Sequence, residues 1–236
     1  MKLIMLGPPG AGKGTQAAKL SVSLGIPTLS TGHILRTAIK EGLPVGLQAK
    51  EYMDAGKLVP DEIVIGVVKD FLTKDEFKKG YILDGVPRTL VQAEILEKMG
   101  VEIDAAVCIE ISDEEIEHRM QGRRVCNKCG ASYNIDANPP RVENICDECG
   151  DTLVIRDDDK PETVRQRLAV YHAETEPIIG FYKERGKLLP IDGTASVEET
   201  TRKVMQALEM IKVFIGFILV KKGVWIHNIV TPVAKE

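Results

Sequence analysis

The chain has 236 residues, 44% of them hydrophobic and 28% charged, with a formal net charge of −4. That size suits one large domain or one core carrying insertions, and the composition is ordinary for a globular protein. The acidic balance and an aromatic content of 5% speak against a nucleic-acid surface, so an anion site has to come from local clustering of arginine.

Residues 1–15 carry no signal-peptide pattern, because the first apolar run is short and enters a glycine-rich loop directly. The cytoplasm is therefore the expected compartment. The run, Leu3-Ile4-Met5-Leu6, reads as a strand, and Gln16-Ala17-Ala18-Lys19-Leu20 begins a helix. Between them lies Gly7-Pro8-Pro9-Gly10-Ala11-Gly12-Lys13-Gly14-Thr15. Strand, glycine loop and helix form the setting in which backbone N–H groups and a helix N-terminus cradle a polyphosphate. Lys13 then reaches the β- and γ-phosphates. The match to G-x-x-x-x-G-K-[ST] departs at one place: Gly14 follows the lysine, and the hydroxyl arrives at Thr15.

Residues 30–59 are helix-rich and broken by Gly42 and Gly56. In residues 61–72 the apolar positions Ile63, Val67 and Phe71, with Val64, Val68 and Leu72 beside them, predict an amphipathic helix. Tyr81-Ile82-Leu83 reads as a buried strand ending at Asp84-Gly85, residues 89–99 as a helix, and Ala105-Ala106-Val107-Cys108-Ile109 as a second buried strand. Ser112 and Glu115 form a capping box for a helix running to Gly122. Pro161 suits a first helical turn, and a long helical pattern over 162–187 follows, bent near Pro177. Leu188-Leu189-Pro190-Ile191 is the last strand. Ser196 and Glu199 cap a final helix whose face carries Val197, Val204, Leu208 and Ile211. Short apolar strands without alternation, separated by helices, predict an α/β fold: a P-loop parallel sheet covered by helices on both faces.

Residues 122–160 are polar, loop-like and cysteine-bearing, as an insertion would be. Cys126 and Cys129 form one C-x-x-C pair, Cys146 and Cys149 another, and sixteen residues separate the pairs. This spacing predicts a closed tetrahedral site, structural because four thiolates leave no position for a catalytic water, with zinc the expected ion. A redox dithiol pair is the alternative. Glu143, Asp147, Glu148 and Asp151 set against Lys128 and Arg141 argue against a ribbon that tracks phosphates. Cys108 reads as a packed apolar residue.

Arg119, Arg123 and Arg124 precede the insertion or open it; Arg156, Arg165 and Arg167 close or follow it. Each alone reads equally well as a solvated helix charge. Together they would gather guanidiniums at one mouth, which suits phosphoryl transfer, a chemistry of positioning and charge neutralisation. Asp84, at the end of a buried strand, faces the same crevice and is well placed to hold Mg²⁺ through water; a turn-forming or N-cap role is the alternative.

Taken together these stretches resemble the adenylate kinase family, in its long-lid zinc-binding form, from Met1 to about Lys212. The residues that carry the resemblance are the loop from Gly7 to Thr15, Ser30-Thr31-Gly32 with Arg36, Asp54-Ala55-Gly56-Lys57-Leu58-Val59, Asp84-Gly85-Val86-Pro87-Arg88-Thr89 with Gln92, and Gly122-Arg123-Arg124-Val125. Arg156-Asp157-Asp158-Asp159, Glu162-Thr163-Val164-Arg165, Arg167 and Asp192-Gly193-Thr194 complete the set. The resemblance implies a P-loop core (1–29, 60–121 and 160–212), a monophosphate-binding flap (30–59), a zinc-binding lid (122–159) and an extension of unassigned role (213–236). It implies ATP + AMP ⇌ 2 ADP by direct transfer, with Mg²⁺ accompanying ATP. ATP would be held by Gly10, Ala11, Gly12, Lys13, Gly14, Thr15, Arg119 and Arg123. AMP would be held by Thr31, Gly32, Arg36, Lys57, Val59, Gly85, Arg88, Gln92, Arg156 and Arg167, with Gln92 reading the adenine. Lys13, Asp84, Arg88, Arg123, Arg156 and Arg167 would carry catalysis; Asp158 and Asp159 would pair with lid arginines or, equally, form a solvated acidic run.

The expected partners are ATP, AMP and ADP, with no nucleic acid and no membrane span; a monomer is expected, with self-association through the extension left open. Two alternatives remain: another nucleoside monophosphate kinase, taking UMP, CMP or GMP, and an ATP-dependent nucleic-acid-binding switch with a zinc ribbon. Val86 departs from the family's usual phenylalanine and is expected to matter little. In the extension, Val213 to Val220 is apolar, Lys221-Lys222-Gly223 interrupts it, and Val224-Trp225-Ile226 resumes it. Neither block approaches the roughly 20 residues of a membrane span. An added strand or hairpin, an oligomer contact and a surface appendage all stay open.

Overall fold

A computed structural model describes residues 1–221, with side-chain surroundings through residue 211. Its centre is β1 (Lys2–Leu6), flanked by β3 (Tyr81–Asp84) and β4 (Ala105–Glu110), with β2 (Thr28–Ser30) and β8 (Leu188–Asp192) at the edges. All four pairings are parallel, and Ile4 sits opposite Leu83 on one side and Ala106 on the other. The continuous apolar strands follow from this position: alternate residues face opposite sides, and both sides are covered. Ile4, Leu6, Leu83, Ala106 and Cys108 bury into one cluster; Leu3, Met5, Ile82, Val107 and Ile109 bury into the other.

Helices α1 (Lys13–Leu24), α6 (Asp113–Gly122), α7 (Pro161–Val170) and α9 (Val197–Lys221) supply Leu20, Ile116, Met120, Val164, Leu168, Val204 and Leu208 to the second cluster. Helices α4 (Asp61–Leu72), α5 (Leu90–Lys98) and α8 (Pro177–Glu184) supply Val64, Val68, Leu96, Ile178 and Tyr182 to the first. Both serines cap their helices: Ser112 Oγ accepts from Glu115 N at 3.4 Å and Ser196 Oγ from Glu199 N at 3.2 Å. Val86, in place of the expected phenylalanine, is fully buried in the first cluster.

Three details differ from the sequence reading. The helical pattern expected over 162–187, bent near Pro177, is two helices joined just before that proline by a π turn at Tyr171–Thr175, with α8 ending at Glu184. The local cause is visible at Pro177, which lacks an N–H to continue an α-helical ladder; just before it, Glu176 N–H reaches back five residues to Tyr171 O at 2.8 Å. Residues 122–160 are less loop-like than expected, since β5 (Arg123–Cys126), β6 (Ser132–Asn134) and β7 (Leu153–Val154) form a small antiparallel sheet. Finally, α9 runs on to Lys221, so residues 213–220 are helical rather than a strand or hairpin. The apolar block that resumes at Val224 lies outside the described residues. No helix among the described residues is long and apolar enough to cross a membrane.

Helices α2 (Thr31–Lys40) and α3 (Pro44–Asp54) form a tight hairpin that projects from the carboxyl end of β2. Their backbones touch at Gly46, where an added Cβ would lie 2.2 Å from the Ala38 carbonyl carbon. Gly46→Ala is therefore expected to force the helices apart and destabilise the hairpin by roughly 1–3 kcal/mol. Faster amide exchange confined to residues 31–54, read by mass spectrometry, is the expected result; unchanged exchange there would contradict it.

Candidate phosphotransfer site

A single cleft of about 1780 Å³ opens at the carboxyl ends of the central strands. It exceeds the roughly 300–1,000 Å³ typical of a pocket for one small ligand. On its floor, the loop after β1 turns into α1 through Gly12, whose φ of +93° suits glycine far better than any side-chain-bearing residue. Lys13 Nζ donates to Gly7 O at 2.8 Å and Pro8 O at 2.7 Å, so the ammonium lies folded over the loop. The side chain keeps some exposure to the cleft, but the surrounding protein is dense. Burial pulls its pKa down to about 7; Asp84 works against this, and Arg88, Arg167 and Arg123 add to it. An anion arriving at this lysine would favour its charged form.

Asp84 ends β3 beside this loop. Ser30 Oγ donates to its Oδ2 at 3.2 Å, and a Cβ built on Gly14 would lie 3.6 Å from the same oxygen. The carboxylate thus stands against the first turn of α1, which also carries Thr15. These are hard oxygen donors of the kind Mg²⁺ accepts.

The hairpin α2–α3 forms the opposite wall. Thr31 Oγ1 donates to Gly85 O at 3.0 Å, which ties the start of α2 to the loop after β3. Arg36, Lys57, Val59, Gly85, Arg88 and Gln92 line the cleft on this side. Gln92 is fully buried and both ends of its amide are engaged: Oε1 accepts Arg88 N–H at 2.7 Å and Nε2 donates to Asp61 Oδ1 at 2.8 Å. The residue expected to read a base therefore also holds the Arg88 loop.

Between the walls, three guanidiniums share two carboxylates. Arg123 grips Asp159 through both nitrogens, with Nε to Oδ2 at 2.8 Å. Arg156 grips Asp158 in the same way, with Nε to Oδ1 at 2.7 Å. Arg167 Nη1 lies 3.0 Å from Asp158 Oδ2 and 3.4 Å from Asp159 Oδ1. Of the two readings left open for Asp158 and Asp159, pairing with arginines is the one present. Burial opposes ionisation of Asp158, but Arg167, Arg156 and Arg123 outweigh it and hold the carboxyl well below its ordinary range. Burial, with Arg156 nearby, pulls Arg36 and Arg123 below the ordinary arginine range.

Arg165 is not part of this group; it is exposed, 3.4 Å from Glu117, as a solvated helix charge would be. Arg119 lines the cleft with Nε on Glu115 Oε1 at 2.8 Å and Nη2 on Gly193 O at 2.9 Å.

Above the cleft, the four-cysteine sheet meets α2. A Cβ on Gly130 would lie 2.9 Å from His33 Nδ1, so the first knuckle has no room for a side chain there. Each knuckle closes on itself: Gly130 N–H donates to Cys126 O at 3.0 Å and Gly150 N–H to Cys146 O at 2.9 Å. The four Sγ atoms lie within 4.8 Å of one another, with Cys126–Cys149 at 3.4 Å and Cys129–Cys146 at 3.5 Å. Thiolates bound about 2.3 Å from a tetrahedral zinc ion stand about 3.8 Å apart, so the cage fits one such ion. Cys108 lies elsewhere, buried in the main core, and burial pushes its thiol up to about 12.

Sequence reasoning missed Asp61, Thr175, His33 and Tyr133. Asp61 receives Gln92, and Thr175 receives no motif; Tyr133 Oη accepts Asp147 N–H at 2.9 Å and lies 3.6 Å from Cys146 Sγ. Each sits inside an unremarkable helical or loop pattern, and only the fold brings it to its partner.

A glycine-rich loop facing a second basic wall, with shared guanidiniums between, is the arrangement of a P-loop enzyme that acts on phosphate groups. A family model described as adenylate kinase matches residues 5–187. The adenylate kinase of Acetivibrio thermocellus is 53% identical over 216 residues, covering 90% of this chain and all of that protein. That of Caldicellulosiruptor saccharolyticus is 53% identical over 88% of this chain and 99% of its own. That of Archaeoglobus fulgidus is 50% identical over 90% of this chain and all of its own. This chain belongs to the adenylate kinase family, and it is a nucleoside monophosphate kinase.

A carboxyl whose folded pKa is depressed stabilises the fold above its unfolded value, about 3.9, and that stability drains away as pH falls toward the folded value. Asp158→Asn is therefore expected to lower stability at neutral pH by roughly 2–4 kcal/mol and to flatten the loss between pH 5 and the acid limit. Urea denaturation at stepped pH reads both effects; equal acid slopes in the two proteins would contradict the assignment.

Proposed function

We propose that the chain catalyses reversible transfer of the γ-phosphoryl group of ATP to AMP, giving two ADP, by direct in-line displacement with Mg²⁺. The supporting observation is the two-walled cleft, with Lys13 on one wall, Arg36 and Arg88 on the other, and Arg123, Arg156 and Arg167 between. The names of the related proteins agree with this reading.

In this mechanism the loop from Gly10 to Thr15 cradles the triphosphate on backbone N–H groups, and Lys13 bridges its outer phosphates. Thr31, Arg36 and Arg88 hold the AMP phosphate, and the backbone around Lys57, Val59 and Gly85 shapes the base pocket with Gln92. Asp84 and Thr15 would hold Mg²⁺, which when bound supplies charge neutralisation on the β- and γ-phosphate oxygens. Arg123, Arg156 and Arg167 neutralise the equatorial oxygens of the group in flight. Residues 30–59 act as a flap over AMP and residues 122–159 as a lid over ATP. Closure excludes water, which would otherwise compete with AMP as acceptor; adenylate kinase lids are a standard example of such gating. Zinc in the Cys126, Cys129, Cys146 and Cys149 cage is structural and supplies folding energy that a core of four buried residues cannot.

Coupled assay of Mg·ATP with AMP, UMP, CMP and GMP in turn tests the reading. AMP is expected to exceed each other acceptor in kcat/KM by at least about 100-fold. Comparable turnover of another monophosphate would overturn the AMP assignment, and no turnover with any would overturn the kinase mechanism.

For the cage, metal analysis after purification under reducing conditions is expected to find one equivalent of zinc per chain. Removal by a chelator is expected to melt the small sheet first, seen as a separate low-temperature transition. Less than about half an equivalent of any metal would contradict the site.

A further inference from the structure

Arg88 is pinned at three points. Its Nε donates to Gly85 O at 2.9 Å, and its N–H donates to Gln92 Oε1 at 2.7 Å. Both partners lie within four residues of it. The third tie is remote: Thr175 Oγ1 donates to Arg88 O at 2.8 Å across 87 residues of chain.

Thr175 closes the π turn between α7 and α8 and is only 9% exposed. In a regular helix a threonine hydroxyl commonly bonds back to the carbonyl three or four residues earlier. Here it reaches out of its helix to a loop of the active-site wall. The turn itself is anchored. His172 Nδ1 lies 2.8 Å from Glu176 Oε2, and His172 Nε2 lies 3.0 Å from Asp113 Oδ2 on α6. Tyr171 is buried against the same region and lines the cleft. π turns recur at functional positions, where the extra residue re-aims a side chain.

We propose that Thr175 is a positioning residue for the acceptor phosphate, its hydroxyl fixing the Arg88 carbonyl and through it the approach of the Arg88 guanidinium. The inference rests on the reading of Arg88 as a ligand of the AMP phosphate. With the N–H held by Gln92 and the carbonyl by Thr175, the Arg88 backbone cannot rotate without breaking a hydrogen bond. A displacement of about 1 Å at a group aligning reactants costs on the order of 100-fold in rate.

Thr175→Val keeps the shape and removes the hydroxyl. Its KM for AMP is expected to rise about tenfold and kcat/KM for AMP to fall about 10- to 100-fold, with KM for ATP within about twofold of the parent. Thr175→Ser is expected to restore the parent values, and the thermal midpoint of each variant is measured alongside. Arg88→Gln is measured in parallel, with the double variant to close the cycle. In that background Thr175→Val is expected to add little, because both changes act through one group. If Arg88→Gln leaves KM for AMP unchanged, the reading of Arg88 fails. If Arg88→Gln raises that KM and Thr175→Val does not, the inference about Thr175 fails alone. Equal rises in both KM values, or failure of Thr175→Ser to rescue, would assign Thr175 a merely structural role and overturn the proposal.

Discussion

Crowding of positive charge is the constraint on which the cleft depends. Lys13, Arg36, Arg88, Arg123, Arg156 and Arg167 all line one cavity, and bringing like charges into a partly desolvated space is costly. The fold meets this cost with Asp84, Asp158 and Asp159. The latter two are acceptors for three arginines at once. Such sharing leaves an excess of donor capacity in place, so the pocket is organised for polyphosphate oxygens without collapsing on itself. The depressed pKa of Lys13 expresses the same tension: the protein tolerates the lysine, and an anion is what favours its charge.

The placement of these groups follows from the sheet. Strands buried on both faces can expose functional groups only at their ends, and here β1, β3 and the start of α2 converge at the carboxyl edge. The glycine loop, Asp84 and Thr31 sit within one or two residues of those ends. The arginines arrive by a different route. Arg123 starts the small sheet, and Arg156 and Arg167 come from the segment that leaves it. Whatever holds the small sheet in place therefore sets the spacing of its guanidiniums. The cysteine cage, the knuckle hydrogen bonds and the seat of His33 against Gly130 bear on the geometry of the cleft in that indirect sense.

The loop around Arg88 is held by residues from several elements. Asp61 holds Gln92, Gln92 holds the Arg88 N–H, and Thr175 holds the Arg88 carbonyl. These come from α4, α5 and the π turn, three elements with no sequence proximity. Each bond is buried or partly buried, where an unpaired polar group is expensive. The network therefore has few alternative arrangements.

Local chemistry was legible from the residues alone. Gly7 to Thr15 declares a phosphate loop because glycine spacing, lysine and flanking periodicity are all local properties. The two C-x-x-C knuckles declare a metal cage for the same reason, and the apolar, non-alternating strands declare a parallel sheet. Single arginines were ambiguous: Arg123 and Arg165 read alike, yet one grips a buried aspartate and the other lies in solvent. The π turn, the continuation of α9 past Lys212, the second engagement of Gln92 and the reach of Thr175 were not legible. The bond from Gln92 to Asp61 and the reach of Thr175 to Arg88 depend on partners tens of residues away, and a periodic pattern reports only which face of an element is buried. Sequence fixes a residue's chemistry and its local geometry. Which other residue that chemistry meets is decided by long-range packing, and here that packing sets the glycine-rich loop opposite a second basic wall.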